Sequence, residues 1–132
     1  MKNKLILALS GNDIFSGGGL HADLATYTVH GLHGFVAVTC LTAMTDKGFE
    51  VLPTDEQTFA QQLSSLKDVP FSSIKLGVFR TVAISDEALD FIQMQTCIPA
   101  VLGPVLVCEE THDVEVPALR PALIKFSPFS IS

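Results

Sequence analysis

Short runs that are apolar on both faces alternate along this chain with stretches whose apolar residues recur at helical spacing. The run Leu5-Ile6-Leu7-Ala8-Leu9 has no polar side, as suits a strand covered above and below. Leu20, Leu24 and Tyr27, with Ala25 and Val29, make a helical stripe that Gly31 is placed to stop. Phe35-Val36-Ala37-Val38-Thr39 reads as a second strand, and Phe49-Glu50-Val51-Leu52 as a short extra one. Thr54 and Gln57 have the spacing of a capping box, ahead of a helix whose face carries Phe59, Leu63 and Leu66. Residues 74–78 read as a third strand. Ser85-Asp86-Glu87 then opens a helix with a stripe through Ala88, Leu89 and Ile92, and residues 100–102 begin a fourth strand. Leu119, Leu123 and Phe126 keep helical spacing, but Pro117 and Pro121 place the start or a distortion of that helix near Pro121.

Such alternation predicts one α/β domain over 1–132, a parallel sheet with helices on both faces. In sheets of this kind ligands gather outside the carboxyl ends of the strands. Four segments are expected to meet there: 10–19, 42–46, 77–80 and 103–110.

Charge narrows the partners. The net charge is −6. Residues 1–40 balance, while most of the excess acid lies beyond residue 80, including Glu109, Glu110, Asp113 and Glu115. Without a basic patch, nucleic acids and anionic membranes are poor partners. No apolar run reaches the roughly 18 residues of a membrane span. The opening MKNKLILALSGND imitates an export signal, but its apolar centre is too short and Asn12-Asp13 follow at once, so it reads as a buried first strand. Cys40, Cys97 and Cys108 lack a C-x-x-C spacing and read as reduced thiols of a cytoplasmic protein.

Ser16-Gly17-Gly18-Gly19 leads into the first helix. Bare backbone before a helix suits an anion or a closely approaching ligand, and suits equally a plain flexible connection. Gly17, Gly19 and Ala22 match G-x-G-x-x-G/A formally, but the residues from Gly11 to Ser16 separate that match from the strand, unlike a tight dinucleotide turn. Asp23, on the helix that follows, is expected on its polar side with Thr26 and His30. His30 and His33 lack a third partner for a metal, and His21 and His112 read as surface residues.

The stretch SGNDIFSGGGLHADLATYTVHGLHGFVAVTCLTAMTDKG resembles the amino-terminal half of the hydroxymethylpyrimidine/phosphomethylpyrimidine kinase and pyridoxal kinase group, within the ribokinase-like superfamily. The group's opening, AGSDSSGGAGIQADLKT, aligns without a gap from Ser10 to Thr26. KLGVF resembles its KIGML, and VLGPVLV its VLDPVMV. The resemblance implies an ATP- and magnesium-dependent kinase acting on the hydroxymethyl group of a small aromatic ring, in vitamin B6 or thiamine-precursor metabolism. It implies that Gly11, Gly18 and Asp23 line the small-substrate pocket, and that Thr42, Met44, Val78 and Val105 form its apolar walls. Met44 stands where the pyrimidine kinases place Gln, which loses a ring-reading hydrogen bond and leans towards a pyridoxal-type substrate.

The chain also departs from the group. Gly103 replaces the Asp of the DPV motif, and Glu109 falls near the usual Lys. The anion hole and catalytic base belong to a carboxyl half that these residues do not include, and the group's kinases run to about twice this length. The expectation is therefore a truncated ribokinase-like domain with no catalytic residue of its own and little turnover. The alternatives are half of a split kinase that needs a partner chain, and a non-catalytic vitamin-binding or interaction module. An open sheet edge would favour self-association, including a homodimer.

Overall fold

A computed structural model describes residues 4–77, 79, 81–95, 98 and 100–102, the last three by their backbone. In chain order the elements are β1 (Leu5–Ser10), α1 (Gly19–Val29), β2 (His33–Val38), β3 (Cys40–Thr45), β4 (Gly48–Pro53), α2 (Glu56–Ser65), β5 (Ser73–Leu76), α3 (Val82–Met94) and β6 (Ala100–Leu102). Four strands form a parallel sheet in the order β2-β1-β5-β6. The chain leaves the central β1 for β2 on one side, then returns across it to β5 on the other. Connections of one hand put α1 on one face of the sheet and α2 with α3 on the opposite face.

Register decides what each face carries. Leu7 lies beside Phe35 and Ile74, and Leu9 beside Ala37 and Leu76. That layer packs on Phe59 and Leu63 of α2 and on Ile84, Ala88, Phe91 and Ile92 of α3. Burying one such side chain contributes about 1.5–3 kcal/mol. The alternate residues, Ala8, Ser10, Gly34 and Lys75, lie on the α1 side. A Cβ on Gly34 would stand 2.7 Å from Leu24 and 2.8 Å from Tyr27, so the missing side chain is what lets α1 sit close.

The face beneath α1 is therefore small and partly polar, and the helix turns towards it differently from the expected stripe. Asp23 is its buried residue, whereas Ala25 is exposed and Val29 is 82% exposed. The expectation that Asp23 lies on the polar side is corrected here. It is drawn inward because Ser10 and Lys75 offer it partners.

Two helix starts also differ from expectation. Asp55, not Thr54, caps α2, accepting from the amides of Gln57 and Thr58 at 3.1 and 3.2 Å. The Thr54 hydroxyl instead donates to the Val38 carbonyl at 2.8 Å. Thr81 caps α3 through the Ile84 amide, a full turn before the expected start. Ser85 thus lies inside the helix, buried, with its hydroxyl donating to the Val82 carbonyl. Gly31 does stand just past the end of α1, at φ +72.

Beyond β2 the chain forms an antiparallel hairpin of β3 and β4, separate from the main sheet. Only the second strand of this pair is expected from the sequence, where 42–46 figures as a segment at the carboxyl ends of the strands. Gln62 on α2 covers the outer edge of β2 at its end, accepting from the Val38 amide and donating to the Val38 carbonyl. Among the described residues no helix is long and apolar enough to cross a membrane. The segment 103–110 and the helix expected near Pro121 lie outside the described residues.

Candidate functional site

The site forms where β1 runs out. Ser10 ends the strand, and Gly11 turns over the start of β3, where a Cβ would meet the Cys40 sulfur at 2.5 Å. The Asn12 amide donates to the Cys40 carbonyl at 2.9 Å, and the Leu20 amide to the Gly11 carbonyl at 2.9 Å. These two bonds fold the connection back so that Gly19 lies against Gly11. Gly19 sits at φ +64, and a Cβ there would collide with the Gly11 carbonyl oxygen. Only glycine meets both demands.

The remainder of the loop is organised by Asp13. Its carboxylate accepts from the amides of Phe15 and Gly17 at 2.9 and 3.1 Å, and its carbonyl from the Ser16 amide at 2.8 Å. Thr42 then ties the loop to the hairpin. Its hydroxyl accepts from the Ile14 amide at 2.7 Å and donates to the Asn12 carbonyl at 2.9 Å. Phe15 stacks on Phe49, with ring centroids 6.3 Å apart and planes 26° from parallel.

Between loop and hairpin lies a cleft of about 180 Å³, lined by Gly11, Asn12, Asp13, Gly19, Cys40, Thr42, Phe49 and Val51. Hairpin register explains the outer wall: Thr42 pairs with Val51 and Met44 with Phe49. Paired residues of an antiparallel ladder share a face. One wall thus combines the backbone of Gly11 and Gly19 with Asn12 and Asp13, and the other carries Thr42, Phe49 and Val51. Beside Gly11, the wholly buried Thr39 hydroxyl has no hydrogen-bond partner among the described residues, and a Cβ on Gly11 would lie 3.8 Å from it.

On the α1 side of Ser10 lies a polar cluster. The Ser10 hydroxyl donates to one oxygen of Asp23 at 3.0 Å, and the Lys75 ammonium pairs with the other. Ser10 and Asp23 are buried, and the Lys75 side chain is partly exposed. Burial, with the Asp23 charge second, pushes the Tyr27 hydroxyl up from its ordinary 10.0 to about 12.

Of the residues named from sequence, Gly11 and Thr42 line the cleft. Gly18 does not: a Cβ there would meet nothing within 4 Å. Gly17 lies nearest the Asp13 carboxylate, so of the three glycines only Gly19 borders the cavity. Asp23 sits behind the cleft rather than in its lining, and Met44 is 60% exposed at the outer end of the hairpin. Val78 and Val105 lie outside the described residues, as do Gly103 and Glu109. Sequence reasoning missed Asn12, Asp13, Cys40, Phe49 and Val51 as lining, and Lys75 as the partner of Asp23. The alternation from Cys40 to Thr45 is too weak to signal the hairpin wall.

The described residues contain no group of three His, Cys, Asp or Glu able to hold a metal ion. Among the described residues no Lys, Arg or His lines the cleft. The described lining residues do not by themselves fit a magnesium–nucleotide.

The sequence matches the family model described as phosphomethylpyrimidine kinase over residues 13–128. It is 31% identical over 121 residues to the pyridoxine kinase of Bacillus subtilis, a match covering 89% of this chain and 45% of that protein. It is 32% identical over 108 residues to the hydroxymethylpyrimidine/phosphomethylpyrimidine kinase of Haemophilus influenzae, covering 80% of this chain and 40% of the relative. Among solved structures, the pyridoxal kinase of Staphylococcus aureus in complex with pyridoxal superposes with TM-score 0.85 at 27% identity, over 98% of this chain and 48% of that one. The ADP complex of the Bacillus subtilis pyridoxal kinase gives TM-score 0.86 at 28% identity, over 98% and 50%. The chain thus spans about half the length of the relatives it matches.

Proposed function

Since the chain belongs to the phosphomethylpyrimidine kinase family, we propose that it holds the alcohol substrate of an ATP-dependent kinase, a small aromatic ring bearing a hydroxymethyl group. Pyridoxal and hydroxymethylpyrimidine are the rings named for its relatives. The observation that carries this reading is the pairing of the backbone of Gly11 and Gly19 with Thr42, Phe49 and Val51 across a cleft of about 180 Å³. A flat ring fits between the glycine backbone of one wall and the aromatic and aliphatic side chains of the other. In this reading Gly11 and Thr42 border the ring. Asp23, held by Ser10 and Lys75, supports the floor from behind, and Met44 stands at the outer rim. Gly18 stands outside the cleft, and Val78 and Val105 remain assigned by resemblance.

Phosphoryl transfer depends on positioning and on stabilising charge at the phosphate. These residues supply positioning for the alcohol alone, so we propose that the 132-residue chain binds the ring but does not turn it over. Titration calorimetry with pyridoxal and with hydroxymethylpyrimidine, without nucleotide, is expected to give saturable binding to the chain. A parallel assay of ATP-dependent phosphorylation is expected to stay at blank. Absence of binding overturns the ring reading, and clear turnover overturns the claim of incompleteness. The match over only about half of each relative favours a second reading, a half-kinase that works with a partner chain. Recovery of turnover on adding the carboxyl half of a relative would establish that reading.

A further inference from the structure

We propose that the side-chain amide of Asn12 reads an in-plane acceptor on the bound ring, a ring nitrogen or a ring-borne oxygen, and that His21 is the positioning residue that leaves its amino group free to do so. This rests on the ring-binding reading above and adds a specificity-determining pair to it.

Side-chain hydrogen-bonding capacity in the cleft is largely spent on the protein itself. The one hydrogen of the Thr42 hydroxyl goes to the Asn12 carbonyl, and the same oxygen accepts from the Ile14 amide. The Asp13 carboxylate accepts the amides of Phe15 and Gly17 on its two oxygens and, when ionised, has nothing to donate. Gly11, Gly19, Phe49 and Val51 bring no polar side chain, and the Cys40 thiol is a weak donor. Among the described lining residues Asn12 is thus the one whose side chain carries N–H donors, and no protein acceptor takes them.

Asn12 is also held ready. Its amide donates to the Cys40 carbonyl at 2.9 Å, its carbonyl accepts from Thr42, and the residue bridges to Gly19. Its side-chain oxygen stands 3.1 Å from Nε2 of His21, in the first turn of α1. An amide oxygen can only accept, so this contact is a hydrogen bond with His21 donating from Nε2. With Oδ1 engaged, the hydrogens of Nδ2 are what the side chain has left for a ligand. Fixing a polar group in advance lowers the ordering cost of binding. Asn12 and His21 stand where the resembling pattern AGSDSSGGAGIQADLKT has Ser and Gln, so both ends of the contact depart from that pattern together. Lone pairs of ring nitrogens and ring-borne oxygens lie in the ring plane. A fixed donor therefore selects among flat rings of equal size, which apolar walls do not.

The test is titration calorimetry of the whole 132-residue chain with pyridoxine and two analogues, one with hydrogen in place of the ring hydroxyl and one with CH in place of the ring nitrogen. At least one analogue is expected to bind about tenfold more weakly than pyridoxine, the scale of one hydrogen bond, and so names the acceptor. That difference should vanish in Asn12→Ala and in Asn12→Asp, since the carboxylate keeps an oxygen but loses the donor. His21→Ala should lower pyridoxine affinity about two- to threefold as the amide divides between its two orientations. His21→Gln, whose terminal amide can donate to the same oxygen, should restore it. In the unmutated chain the Asn12 side-chain amide resonances should move as pyridoxine binds. Equal binding of all three rings, unmoved Asn12 resonances, or a difference that survives in both Asn12 variants overturns this inference while leaving the ring reading intact. Binding of none of the rings overturns both. Unchanged affinity in His21→Ala removes His21 as the positioning residue.

Discussion

Lys75 on β5 and Asp23 on α1, 52 residues apart in sequence, form an ion pair on the face of the sheet opposite the main core, with the Ser10 hydroxyl on the second carboxylate oxygen. Three elements are joined at one buried carboxylate, directly behind the residue from which the cleft begins.

Removal of that carboxylate leaves the Ser10 hydroxyl buried without its acceptor. Asp23→Ala is expected to destabilise the chain by about 2 kcal/mol, since the partner ammonium is partly solvated and the penalty falls below that of a wholly buried pair. A double-mutant cycle with Lys75→Met, read by urea unfolding, should give a coupling of about 1 kcal/mol or more. A coupling indistinguishable from zero would show that the pair holds nothing together.

The consecutive glycines 18 and 19 differ sharply in what they tolerate. Gly19→Ala places a Cβ against the Gly11 carbonyl at a positive φ and is expected to cost more than about 1 kcal/mol. Gly18→Ala meets open space at an extended backbone, φ −160, and should stay within about 0.5 kcal/mol of the parent. Thermal midpoints of the two variants check this directly; equal midpoints would contradict the folded-back geometry of the loop.

Tyr27 gives the chain an alkaline limb. Its hydroxyl ionises near 10.0 when unfolded and at about 12 in the folded chain, because burial and then the Asp23 charge disfavour the phenolate. The folded state therefore holds its proton more tightly. That stabilisation is complete below pH 10 and is lost as the pH rises towards 12. Ultraviolet difference titration of the folded protein should show a late-ionising tyrosine, and Tyr27→Phe should remove this part of the alkaline loss of stability. Ionisation at the ordinary tyrosine pH would place the ring in solvent instead.

Much of this architecture was legible in the sequence, and what escaped did so for identifiable reasons. β1 announced itself because Leu5 to Leu9 offers no polar face, and α2 because Phe59 and Leu63 are a helical turn apart beside polar neighbours. The first strand of the hairpin was hidden because Cys40 to Thr45 is half exposed and alternates only weakly, with Leu41 turned outward at 50% exposure. The caps of α2 and α3 were displaced because Thr54 and Ser85 found backbone carbonyls as partners, while Asp55 and Thr81 served the helix ends. The Asp23–Lys75 pair had no local signal, since only the sheet order brings α1 over β5. Of the expected pocket residues Gly11 and Thr42 fall on the cleft. Asn12, Asp13 and Phe49 join them through tertiary contacts that spacing does not encode.

The most direct test is a map of backbone amide shifts in the 132-residue chain as pyridoxine is titrated in. The largest changes are expected at Gly11, Asn12, Gly19, Thr42 and Phe49, with Gly18 and the outer faces of α2 and α3 little affected. Changes centred on Ala60, Lys67 and Phe91 between those two helices, or none at saturating ligand, would contradict a ring seated between the Gly11–Gly19 backbone and the hairpin.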